Sequence, residues 1–92
     1  MGDGPITCEC EILNQYGIHA RPAALFVKTA SRFDSDIIVE KDDNRVSGKS
    51  IMGLMTLEAS KGTKLRIIVE GDDADDAIQE IRALIESKFD ED

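Results

Sequence analysis

The chain has 92 residues, 41% of them hydrophobic, 33% charged and only 4% aromatic, and its formal net charge is −8 at pH 7. That length suits a single domain, 1–92, with one core filled mostly by aliphatic side chains. The acidic balance argues against nucleic acid or an anionic membrane surface as a partner.

No apolar run approaches the ~20 residues needed to cross a bilayer, so no membrane insertion is expected. The N-terminus lacks the basic, apolar and small-residue pattern of a secretory signal, and a cytoplasmic location is expected. Met1-Gly2 resembles the start of a myristoylation signal, but that signal wants Ser or Thr at position 6, where Ile6 stands.

Residues 6–12 alternate strictly, with Ile6, Cys8, Cys10 and Ile12 on one face and Thr7, Glu9 and Glu11 on the other. This is the pattern of a strand with one wet face. Cys8 and Cys10 point the same way, too far apart along a strand for unstrained bridging. They also lack the spacing of a zinc site, so two buried, reduced thiols are expected and no metal. Asn14 to Gly17 reads as loop.

From Ala20 the period changes. Ala23, Phe26, Val27 and Ala30 form one helical stripe. Pro22 fits only a first turn, where its missing amide hydrogen costs nothing. The helix therefore begins at His19-Ala20-Arg21 and is expected to run to Arg32-Phe33.

Asp36 to Lys41 predicts a second strand. Asp42-Asp43-Asn44 predicts a tight turn, and Arg45 to Ser47 a short strand pairing back. Ser50 to Leu57 predicts a short helix, and Lys64 to Glu70 a strand with Leu65, Ile67 and Val69 inward. Gly71-Asp72-Asp73 should turn and cap a last helix, whose stripe is Ala77, Ile78, Ile81, Leu84 and Ile85. Asp75 and Asp76 sit in its first turn, where the helix dipole favours negative charge. The acidic tail Asp90, Glu91 and Asp92 reads as a solvated segment, leaving a core of about 5–88. The order is βαββαβα, an α+β fold with a four-stranded antiparallel sheet and helices on one face.

Two stretches carry chemistry. His19, the only histidine, stands at a helix entrance with Arg21 two residues later. A helix N-terminus offers unpartnered amide hydrogens and partial positive charge, a ready site for an anion. A neutral imidazole is nucleophilic toward phosphorus, and an arginine fork matches a phosphate. The stretch can therefore accept a phosphoryl group on His19 and steady it with Arg21. The blander alternative is a surface histidine that caps the helix. No second base or carboxylate pair accompanies His19, so a phosphoryl carrier fits better than an enzyme with its own small-molecule substrate, and no cofactor is implied.

The second stretch is Gly48-Lys49-Ser50. A nucleotide-binding loop would need Gly at the position of Asp43, so that reading is rejected. Ser50 instead occupies an N-cap position. The helix behind it carries Ile51, Met52, Leu54, Met55 and Leu57, more apolar side chains than one face can bury. Leu54 and Leu57 suit the core. Ile51, Met52 and Met55 are left as an adaptable, exposed protein-binding patch.

Taken together, Gly17-Ile18-His19-Ala20-Arg21-Pro22-Ala23-Ala24 and Lys49-Ser50-Ile51-Met52-Gly53-Leu54-Met55 resemble the active-site and regulatory-serine segments of HPr, the histidine phosphocarrier of the bacterial phosphoenolpyruvate-dependent sugar phosphotransferase system. The resemblance covers about residues 5–88. It implies an open-faced β-sandwich with three helices on one side of the sheet. It also implies that His19 takes phosphate on Nδ1 from phosphorylated enzyme I and passes it to IIA-type domains, with Arg21 steadying it. Ser50 would be the target of an HPr kinase/phosphorylase, and Ala20, Ala24, Lys28, Ile51, Met52 and Met55 would form the partner surface of a monomer.

Three positions depart from the family pattern. Tyr16 stands where many members have a small polar residue, and Ser47-Gly48 look more like the nitrogen-related branch. A regulatory HPr-like protein, acting on a transcriptional regulator or a kinase, is therefore the second reading. A small ligand-sensing or interaction domain of ferredoxin-like type is a third, and it leaves His19 and Arg21 without a role.

Overall fold

The computed structural model describes residues 4–91, so the readings of Met1-Gly2 and of Asp92 lie outside the described residues. The chain runs β1 (Ile6–Glu11), α1 (Ala20–Ala30), β2 (Asp36–Lys41), β3 (Asn44–Ser47), α2 (Ile51–Thr56), β4 (Lys64–Glu70) and α3 (Ala74–Glu86), closed by a 3-10 turn over Lys88–Asp90. The sheet order is β1-β4-β2-β3, and every neighbouring pair is antiparallel.

The alternation seen in the sequence explains which face is dry. Cys8 lies opposite Ile67 and Cys10 opposite Leu65 across β1 and β4, while Val39 faces Ile67 and Ile37 faces Val69 across β2 and β4. These rows, apart from the cysteines, are buried against Phe26, Ala30, Leu54, Ile78, Ile81 and Ile85 of the three helices. The opposite face is wet. It carries cross-strand ion pairs from Glu40 to Arg45 (3.3 Å) and Arg66 (3.7 Å), which exposed side chains make worth little individually. The expected α+β sheet with helices on one face is the observed architecture.

Four expectations need correction. First, α1 ends at Ala30. The amides of Arg32 and Phe33 bond back three residues, to Thr29 and Ala30, so the chain tightens into turns there instead of continuing the helix. Second, Cys8 and Cys10 are free but only half-buried, because β1 is an edge strand whose dry face α3 covers incompletely. Their sulfurs lie 3.5 Å apart, and burial, with Cys8 adding to it, pushes the Cys10 thiol up to about 12.

Third, Asp73 precedes α3 without capping it by its side chain. Its carboxylate instead accepts hydrogen bonds from the amides of Asp34 (2.9 Å) and Ser35 (3.0 Å) and from the Ser35 hydroxyl. It thus ties the start of α3 to the entrance of β2. Fourth, the tail is not simply solvated. Phe89 is fully buried in the core, and Lys88, Phe89 and Asp90 all have left-handed backbone angles (φ 60°, 55° and 58°) that turn the chain back on itself.

Candidate functional site

The loop before α1 is built to present His19. Gly17 has φ +70°, and a Cβ there would overlap the carbonyl oxygen of Ala59. Only glycine meets both conditions. That close approach lets the Ile18 amide bond to the Ala59 carbonyl at 2.9 Å, and Ile18 itself is buried. The chain is thereby pinned one residue before His19.

His19 is the N-cap of α1, with extended backbone, and its carbonyl accepts the first helical bond from the Ala23 amide (2.9 Å). Its side chain makes no capping bond, so the reading of a merely capping histidine fails. The imidazole is 43% exposed. Arg21 is exposed within the first turn, and Pro22 occupies that turn too, as its chemistry demands. The Tyr16 ring and the imidazole lie nearly perpendicular, 6.3 Å apart between centroids, and Tyr16 is itself 72% exposed.

Two further residues complete this site, and the sequence reading assigned neither a role. Asn14, placed in a loop, is fully buried; its Nδ2 donates to the Gly17 carbonyl (2.8 Å) and to Glu91 Oε1 (3.0 Å). Glu91, placed in the solvated tail, brings its other oxygen 3.1 Å from His19 Nε2, with its side chain only 14% exposed. The available signal was Phe89, a large apolar residue inside an otherwise charged tail.

The second stretch behaves as its residues require. Ser50 is the N-cap of α2, and its Oγ accepts from the Gly53 amide at 2.9 Å. Gly48 lets the loop close on the core: a Cβ there would stand 2.6 Å from the Ile37 side chain. Lys49 donates through Nζ to the Phe33 carbonyl (2.7 Å). Leu54 and Leu57 are buried, while Met52 is 78% exposed and Ile51 and Met55 are exposed beside it. On α1, Ala20, Ala24 and Lys28 share one exposed stripe at i, i+4 and i+8. The helices α1 and α2 pack against each other, so both surfaces belong to one helical layer. Among the described residues, no group of three or more His, Cys, Asp or Glu side chains could hold a metal ion.

An exposed, carboxylate-held imidazole at a helix entrance, with an exposed arginine two residues later in the chain, suits phosphoryl exchange with another protein. The family comparison agrees: residues 6–87 match the model described as PTS HPr component phosphorylation site. The chain belongs to the HPr family. An HPr from Treponema pallidum is 50% identical over 80 residues, spanning 87% of this chain and 91% of that protein. The crystal structure of HPr-C-His from Thermoanaerobacter tengcongensis superposes with a TM-score of 0.91 at 53% identity, covering 95% of this chain and 98% of the other. Crh of Bacillus subtilis, a catabolite repression protein solved as a dimer with a swapped domain, matches with a TM-score of 0.73 at 46% identity over 80% of this chain and 85% of its own. The HPr family fold, inferred from the two sequence segments, is thus the fold of this chain.

Proposed function

We propose that this HPr-family chain is a cytoplasmic phosphocarrier. His19 accepts a phosphoryl group from phosphorylated enzyme I and donates it to IIA-type domains. The observation that carries this reading is the exposed imidazole of His19 at the entrance of α1, free of any capping bond. The first-turn amides have no intrahelical acceptor, and they add partial positive charge where the phosphoryl oxygens would lie. Arg21, exposed in the same turn, contributes a fork of donors. The exposed side chains of Ala20, Ala24, Lys28, Ile51, Met52 and Met55 offer a partly apolar docking surface that suits more than one partner. Incubation with enzyme I and phosphoenolpyruvate should add one acid-labile phosphate to the mass of the chain, and His19→Ala should abolish it. An unphosphorylated native chain would remove the reading.

Ser50 supports a second layer, a regulatory phosphorylation by an HPr kinase/phosphorylase. A phosphate on Oγ adds about −1.5 to −2 charges at neutral pH, in the first turn of α2 and next to the exposed methionines. It would repel an acidic donor protein without refolding the helix. Ser50→Asp should slow phosphoryl transfer from enzyme I, and an unchanged rate in a timed phosphorylation assay would dismiss the gate.

The likeness to Crh favours a second reading, a regulator that binds a transcriptional regulator or a kinase through the same surface. The presence of His19 weighs for the carrier, since a regulator of that kind needs no phosphoryl acceptor. The carrier is proposed to act as a monomer. The swapped Crh dimer makes light scattering on the purified chain the appropriate check, with a dimeric mass counting against it.

A further inference from the structure

The carboxylate on His19 comes from the far end of the chain, and its placement is over-determined. Phe89 is locked in the core, and three consecutive left-handed residues reverse the chain after α3. Asn14, fully buried, then grips one carboxylate oxygen of Glu91 at 3.0 Å while its amide also holds the Gly17 carbonyl at 2.8 Å. The other oxygen reaches His19 Nε2 at 3.1 Å.

Both oxygens of an ionised carboxylate can only accept hydrogen bonds, so Nε2 must be the donor. A neutral imidazole has one ring proton. With that proton on Nε2, Nδ1 keeps its lone pair. We infer that Glu91, oriented by Asn14, is a positioning residue for phosphoryl transfer at His19: its carboxylate holds the Nε2–H tautomer and offsets the positive charge the ring gains when Nδ1 is phosphorylated. This inference rests on the phosphocarrier reading above.

The step balances without moving a proton. The Nδ1 lone pair forms the nitrogen–phosphorus bond, and the bond from phosphorus to the donor breaks with its electron pair leaving on the donor. The Nε2 proton stays between the ring and Glu91 throughout. The ring changes from neutral to cationic, and the carboxylate facing Nε2 stabilises that change. Donation to the next protein reverses each step. This is the division of labour between carboxylate and imidazole in acyl-transfer triads, where the carboxylate sets the tautomer and is not itself protonated.

The test uses the full chain and two variants, Glu91→Ala and Glu91→Gln, each read by ring-nitrogen NMR of His19 and by the rate of phosphorylation with enzyme I and phosphoenolpyruvate. Glu91→Ala should move the neutral ring signals toward a mixture of both tautomers and slow phosphorylation about tenfold, the lower end for a hydrogen bond to a charged group because the ring is part-exposed. Glu91→Gln carries one accepting oxygen for the two donors, Asn14 Nδ2 and His19 Nε2–H, and no charge, so it should leave mixed ring signals and a rate below the native one; native ring signals and a native rate in this variant would overturn the inference. Unchanged backbone amide spectra of the sheet would establish that both variants fold. If Glu91→Ala leaves ring signals and rate as they are, or speeds transfer, the inference falls while the carrier reading stands. If the native chain is never phosphorylated, the carrier reading falls and the role in transfer falls with it, and the ring signals still report whether Glu91 sets the tautomer.

Discussion

Gly17 shows how much of the site depends on a residue with no side chain. Its left-handed angle and its closeness to Ala59 bring Ile18 onto that carbonyl and so aim His19 out of the helix entrance. A methyl group there must push the loop off Ala59. Gly17→Ala should therefore cost about 1–3 kcal/mol in denaturant unfolding, as strained backbone positions do, and should also slow phosphorylation of His19. Stability loss with no change in phosphorylation would mean that the loop presses on Ala59 without aiming the imidazole. His19, Arg21 and Ser50 were legible because each sits at a helix boundary that the local pattern marks: a proline in a first turn, a serine before an apolar run. Asn14 and Glu91 were not legible, because their partners are 77 residues apart and no local pattern links them.

At the level of elements, the strands and helices followed from periodicity, and their joints did not. Asp73 sits where a helix cap belongs, yet its carboxylate serves the Asp34 and Ser35 amides at the entrance of β2. The Ser35 hydroxyl, followed by the Asp34 amide, holds the Asp73 carboxyl below its ordinary value of 3.8. A carboxyl depressed in the folded state contributes stability that is complete above its unfolded value and is lost as pH falls through the lower folded one. Asp73→Asn should thus lower the unfolding midpoint at neutral pH, and the gap from the native chain should close as the solution is taken below pH 3.8, measured by denaturant unfolding across pH. A gap that persists unchanged in acid would show that ionisation of Asp73 is not what ties α3 to β2. Lys41 joins elements in the same way: its ammonium donates to the carbonyls of Leu57 (2.9 Å) and Glu58 (3.4 Å), which close α2.

For the molecule as a whole, the core extends one turn further than the hydrophobic patterning suggested, and that turn connects stability to the site. Phe89→Ala should cost about 3–5 kcal/mol, the usual range for emptying a buried phenylalanine site, read by thermal or denaturant unfolding. Because Phe89 anchors the segment bearing Glu91, the His19 ring should also lose its carboxylate partner in this variant. A cost below about 1 kcal/mol would mean that the aromatic ring is a passive cover. The net charge of −8 coexists with exposed Arg21 and Lys28, seven residues apart on one face of α1, so local charge at the proposed docking surface differs from the global balance.

By itself the sequence determined the order of elements, the dry face of the sheet, the two helix-boundary segments proposed to act, and the family, because these depend on short-range periodicity, backbone chemistry at helix ends and side chains a few residues apart. Tertiary structure alone decided how far Cys8 and Cys10 are covered, where Asp73 spends its hydrogen bonds, and that a glutamate from the tail lies against His19. Those outcomes depend on which distant segments the fold brings into contact, and hydrogen bonds between such segments leave no periodic trace in the chain.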